Sequence, residues 1–171
     1  MDTNTMVVLV VVVVAIAAVA AILISKATRT KSLKSHFGPE YDRAFEDAGD
    51  RRKAESELHE REKRVKQFEI HPLTAADRAR FTTAWPQVQS EFVDSPKAAV
   101  SHADDLVAEV MAARGYPVSN FDQQAADLSV EHPIVVQNYR AAHDIALKER
   151  RGDAGTEDLR QAMIHYRALF D

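Results

Sequence analysis

The chain has no cysteine, only five glycines and six prolines, and a single tryptophan in 171 residues. Without cysteine there is no thiol nucleophile, thiolate zinc site, iron–sulfur cluster or disulfide. Five scattered glycines form neither a GxGxxG turn nor a P-loop, so no phosphate cradle can be read from them. None of the 12 glutamates has a histidine three residues later, which excludes the paired Glu-x-x-His motifs of carboxylate di-metal bundles. HExxH is also missing, and no two of the seven histidines lie within four positions of each other. These absences predict a protein without catalytic, metal or cofactor-binding residues. β-type alternation beyond a few residues is lacking too, as is any fixed-period repeat, so the expected fold class is all-α.

What the chain does have begins at Met6. From there to Ile24, 19 consecutive residues are drawn only from Met, Val, Leu, Ala and Ile. As a helix this run would be about 28 Å long, close to the roughly 30 Å hydrocarbon core of a bilayer. Eight valines make a poor helix in water, but in lipid the backbone has no other way to satisfy its polar groups. Ala18-Val19-Ala20 offers a signal-type cleavage site. Yet the leading MDTNT carries no Lys or Arg, and the run is longer than the 7–15 residues of a typical signal core. Residues 6–25 therefore read as a transmembrane anchor whose partner is the lipid bilayer. Lys26, Arg29, Lys31 and Lys34 follow the run, whereas Asp2 is the only charged side chain before it. The positive-inside rule then places the N-terminus outside and residues 26–171 in the cytoplasm. Residues 1–70 carry a net charge of +1 and residues 71–171 a net of −5, so the distal part is no nucleic-acid binder.

Beyond the anchor, residues 26–38 read as a basic juxtamembrane linker ending at Gly38-Pro39. Residues 39–70 read as a charged, solvated helical stalk. Acid-to-base pairs four apart (Asp47–Arg51, Glu57–Arg61, Glu60–Arg64, Glu62–Lys66) support the helix, and Gly49 is its weak point. The apolar seam is broken by Glu55, Glu62 and Arg51, which favours a solvated stalk over a stable coiled coil. Residues 71–171 then predict a bundle of about four helices. Phe81, Trp85, Val88 and Phe92 lie on one face, with Pro86 kinking the helix near Thr82. Ser95-Pro96 opens the next helix, and Arg114, Gly115 and Pro117 close it. Ser119 and Asp122 resemble a capping box, His132-Pro133 breaks the third helix, and Thr156 caps the last.

Five side chains are candidate contacts for a ligand or partner: Trp85, Tyr116, Tyr139, His143 and His165. Trp85 shares a helical stripe with three large apolar residues, which favours a place in the core over a binding platform. Tyr116 sits in RGYP, a string otherwise explained as a helix terminus. His143 and His165 lie beside the faces led by Tyr139 and Tyr166; a polar cluster inside the bundle is one reading, and solvated or capped histidines are the favoured one. His102, Asp104 and Asp105 point about 100° apart from residue to residue and read as a solvated face.

The strings WPQVQSEFVDSPKAAV, ADDLVAEVMAARGYP, ADLSVEHP and QAMIHYR resemble a family of uncharacterised bacterial proteins. Members are small, have one N-terminal hydrophobic segment, and are described only as hypothetical, membrane or secreted. The likeness covers roughly residues 39–171. It implies a protein of the bacterial envelope and, combined with the charge asymmetry, a single-pass protein of the inner membrane. No site residue follows from it. Two function classes remain. One is a membrane-anchored adaptor or scaffold that presents a helical face to a protein partner. The other is a tethered domain that binds a small molecule or lipid. A cavity above roughly 300 Å³ containing Trp85 favours the second, and a filled core with an exposed apolar patch favours the first.

Overall fold

The structure, a computed structural model, describes residues 3–117 and 119–170. It is all-α, with no strand among the described residues. Eight helices follow in order: α1 (Thr3–Phe37), α2 (Pro39–Ala48), α3 (Arg51–Val65), α4 (Ala75–Asp94), α5 (Pro96–Ala113), α6 (Phe121–Glu131), α7 (Val135–Arg150) and α8 (Thr156–Phe170).

α1 includes one stretch long and apolar enough to cross a membrane. Val13, Ile16, Val19, Leu23 and Ile24 are all exposed on it, and no protein core covers them. Asp2 lies outside the described residues. The helix does not end where the apolar run ends. It continues through the basic residues to Phe37, so the expected linker over 26–38 is helical. No glycine or proline interrupts it before Gly38, and nothing in its sequence forces a break.

The charged segment that follows is not one solvated rod. Gly49 sits at φ 64° as the left-handed cap of α2, and Asp50 caps α3 by accepting from the Arg52 and Lys53 N–H groups. The chain therefore turns, and α3 folds against α2. Leu33, Phe37, Tyr41, Ala44, Ala54 and Leu58 bury one another in a small core of their own, with Val130 of α6 packed on it. The sequence pattern gave no seam long enough for a zipper. The apolar residues are instead spent on this compact hairpin and its dock against α6.

The larger core lies among α4 to α8. α5 is central and packs on α4, α7 and α8. Its buried face includes Ala99, Val100, Ala103, Leu106, Val107 and Met111. α4 runs through Pro86 as a single helix and buries Phe81, Trp85 and Val88. Several ends match their sequence signals. Thr74 accepts from Asp77 N–H at the start of α4, and the Pro133 break separates α6 from α7. Two differ. Ser95 occupies the N-cap of α5 without a side-chain bond, and α6 is capped by Asn120, which accepts from Gln123 N–H, rather than by Ser119. At the end of α5 the Gly115 N–H donates to Ala112 O and Tyr116 N–H to Met111 O, the two bonds of a Schellman terminus. Gly115 has φ 92°, as that turn requires.

Candidate functional site

The Schellman turn and the C-terminal end of α8 flank the most apolar recesses of the bundle. One recess, about 370 Å³, lies between α4, α5 and α8, with walls that include Phe81, Trp85, Val110, Leu169 and Phe170. A second, about 210 Å³, lies on the other side of Val110, Leu169 and Phe170 and is lined by Met111, Tyr116 and Leu128. Phe170 thus stands between the two. It stacks on Trp85 with ring centroids 4.6 Å apart and planes 11° from parallel. Offset aromatic pairs of this kind contribute about 0.5–1.5 kcal/mol beyond their buried area.

Trp85 lies in the core, as its stripe predicts. It is only 8% exposed and belongs to the main core with Phe81 and Val88, yet its remaining edge forms part of the cleft wall. The cleft's polar groups come from one helix. Arg78 and Thr82 sit one turn apart on α4, and Pro86, one turn further, offers no N–H to the Thr82 carbonyl. The Arg78 side chain is exposed to solvent, and among the described residues it has no hydrogen-bond or ion-pair partner. Its neighbour Arg80, by contrast, pairs with Glu109 at 2.7 Å and covers the Phe81 ring.

The remaining predicted residues are distributed over three places. Tyr116 lines the second recess, and its hydroxyl donates to Glu131 Oε2 at 3.0 Å. Burial, with the Glu131 charge added, pushes its phenol well above the ordinary range. Tyr139 is buried between α6 and α7, where its hydroxyl donates to Gln124 Oε1. Burial, and then the Asp104 charge, raises its phenol as well. His165 bonds Asn138 Oδ1 at 2.9 Å on the α7–α8 surface. It does not meet His143.

His143 has a different partner, the carboxylate of Asp104. Its Nδ1 lies 3.0 and 3.1 Å from the two carboxylate oxygens, and its ring stacks on Phe121. Tyr166 donates its hydroxyl to Asp104 Oδ1 at 2.9 Å, and Arg150 reaches Oδ2 at 3.0 Å. Asp104 is therefore buried, not part of a solvated face as its neighbours in sequence suggested. Burial alone would raise its carboxyl. The His143 hydrogen bond and charge, the Tyr166 hydroxyl and Arg150 outweigh that and hold it below the usual carboxylate range. The signal was present. Val100 four residues before and Val107 three residues after Asp104 are both buried, so Asp104 lies on the core stripe. The cluster satisfies one buried carboxylate completely. None of the recesses described here reaches it.

A second ionic centre joins the hairpin to the bundle. Glu40, at the start of α2, is buried and accepts from both Arg140 of α7 and Arg61 of α3. An open, polar cleft of about 490 Å³ lies beside it, walled by Arg43, Arg61, Arg64 and Arg140 together with four carboxylates and α6 side chains. Each of these arginines already holds an acid: Arg43 holds Asp47, Arg64 holds Asp127, and Arg61 shares Glu40 with Arg140. The cleft is thus internally neutralised. The recess at Trp85 has mostly apolar walls with the exposed Arg78 and Thr82 at its edge, and the same two residues also line an open recess of about 570 Å³ with Ala75, Ala79 and Thr83. Comparison with known proteins finds no matching family model, no matching curated protein and no matching solved structure.

Proposed function

We propose that this chain is a membrane-anchored, non-enzymatic helical protein that binds a small molecule or lipid in the Trp85 cleft. The cleft carries the reading. At about 370 Å³ it falls within the roughly 300–1,000 Å³ of small-molecule sites, and its apolar walls with few polar groups match their chemistry. The apolar run of α1 supports the anchor. The cluster of Lys and Arg directly after it supports a bacterial inner-membrane protein with its C-terminal domain in the cytoplasm.

The adaptor reading stands second. Its support was a long stalk, and residues 39–65 fold into a hairpin instead. Val93 and Ile134 are highly exposed and favour a protein contact, but they are single side chains of the kind most surfaces carry. Native mass spectrometry of the full chain released from its membrane distinguishes the two. The ligand reading expects one bound small molecule per chain, lost when Val110→Trp fills the recess. Absence of any retained mass in the parent protein would reject it.

A further inference from the structure

Two contacts set where the α2–α3 hairpin stands against α1. His36 Nε2 lies 4.0 Å from Glu62 Oε1, and Thr30, six residues earlier on α1, donates its hydroxyl to Glu55 Oε1, seven residues earlier on α3. α3 therefore runs alongside α1 in the same direction, and going back along either helix leads toward the apolar run. Arg51 is four residues before Glu55, so at 1.5 Å per residue it stands about 6 Å further back, level with residue 26. The Gly49 turn is thus held at the foot of the apolar run, at the opposite end of α2 from the Glu40–Arg140 pair.

The surface at this level is cationic. Arg51, Arg52 and Lys53 open α3, all three exposed, and among the described residues their side chains form no hydrogen bond or ion pair. The helix does not account for them, because the positive end of its dipole favours acids and its first turn has none. Asp50 accepts from the Arg52 and Lys53 N–H groups, and Asp47 faces Arg43. Of the acids within a turn of Gly49, only Glu46 remains. On α1, residues 26–39 carry Lys26, Arg29, Lys31 and Lys34 and no acid at all. Phe45, in the last turn of α2, leaves 43% of its surface exposed beside these charges.

We infer that the α2–α3 turn is a second membrane contact, made to an anionic phospholipid surface. Arg51, Arg52 and Lys53 pair with the lipid phosphates at the foot of the span, and Phe45 enters the interface beside them. This rests on the anchor reading above and names the lipid class that the domain meets. A zwitterionic bilayer carries no net charge to hold these cations, and there the span alone keeps the protein at the surface.

The test uses the full chain with Ser56→Cys as its only cysteine, labelled with a small fluorophore. Ser56 is exposed one turn past Arg52, and replacing it leaves every charge in place. The protein is reconstituted in vesicles of phosphatidylcholine, with or without phosphatidylglycerol, that contain a lipid bearing a nitroxide quencher on its headgroup. Phosphatidylglycerol should deepen the quenching. Each cation near an anionic surface shifts the docked-to-free ratio about fivefold. Arg51→Gln, Arg52→Gln and Lys53→Gln together should therefore lower that ratio about a hundredfold and return quenching to the phosphatidylcholine level. High salt should do the same to the parent. Quenching indifferent to phosphatidylglycerol, or an excess that survives the triple replacement, overturns the inference. Ser25→Cys, at the foot of the run, separates this from failure of the anchor. A label there should be quenched in both kinds of vesicle, and no quenching in either rejects the span itself.

Discussion

Glu40 and Arg140 meet across 100 residues of sequence, with Oε1 and Oε2 each 3.1 Å from a guanidinium nitrogen. This side-on pair, together with Arg61, fastens the α2–α3 hairpin to α7. Glu40 is 2% exposed, so removing it strands the largely buried Arg140 and leaves Arg61 with Glu57 as its remaining acid. Glu40→Ala should therefore cost about 3–5 kcal/mol, the range for breaking one side of a buried ion pair. Urea unfolding of the full chain in mild detergent measures it. A midpoint equal to the parent's would show that hairpin and bundle are not held together here.

Asp104 makes a prediction about acid. Its carboxyl is held below the ordinary range in the fold, so the unfolded chain takes up the proton first as pH falls. The stabilisation it supplies is complete above about pH 4, the unfolded value, and drains away as pH drops toward the folded value. Stability should decline below about pH 4, and Asp104→Asn should flatten that decline at the cost of lower stability at neutral pH. An acid limb of the same steepness in Asp104→Asn would assign it to other carboxylates. The tyrosines act in the opposite direction. Tyr116, Tyr139 and Tyr166 have raised phenols, so stability should hold up to about pH 10 and fall beyond it as the unfolded chain ionises.

Gly115 and Gly152 separate two costs. Both have positive φ, 92° and 79°. A Cβ on Gly152 meets nothing, so Gly152→Ala should cost only the left-handed term, about 1–2 kcal/mol. A Cβ on Gly115 would sit against the Glu69 backbone carbonyl, which cannot swing aside as a side chain can. Gly115→Ala should cost clearly more than Gly152→Ala, and Gly115→Val more again. Equal urea midpoints for the two alanine variants would contradict the close approach.

Topology is accessible through the missing cysteines. Ser35 and Asp153 are exposed, and a single cysteine at either site has no competitor in the chain. With the C-terminal domain in the cytoplasm, neither should react with a membrane-impermeant maleimide in intact cells. Rapid labelling of both would place the domain on the outer side.

Local signals made much of this architecture legible. Proline and glycine positions located the ends of α4 and α5 and the α6–α7 break, because each constrains its own backbone wherever the chain goes. The stripe of Phe81, Trp85 and Val88 was visible for the same reason, since helical spacing is a local property. What could not be read depended on distant partners. Glu40 sits beside Pro39 in a charged stretch, and nothing nearby announces Arg140. Asp104 looked solvated because two polar neighbours flank it, and only its spacing to Val100 and Val107 told otherwise. From sequence alone Gly49 reads as a weak point of a rod. That it reverses the chain became evident only from the docking of α3 on α6, which no single segment encodes.

The continuity of α1 has a mechanical consequence. A single uninterrupted helix carries the apolar run and then contributes Leu33 and Phe37 to the small core. Only about 20 Å of helix separates Ile24 from Phe37. In the proposed anchor the apolar run is therefore a shaft keyed into the domain, not a leash. Its tilt and its rotation about its own axis would set which flank of the bundle faces the lipid surface. Any reorientation of the span, by a thicker bilayer or by a neighbouring helix, would turn the domain with it.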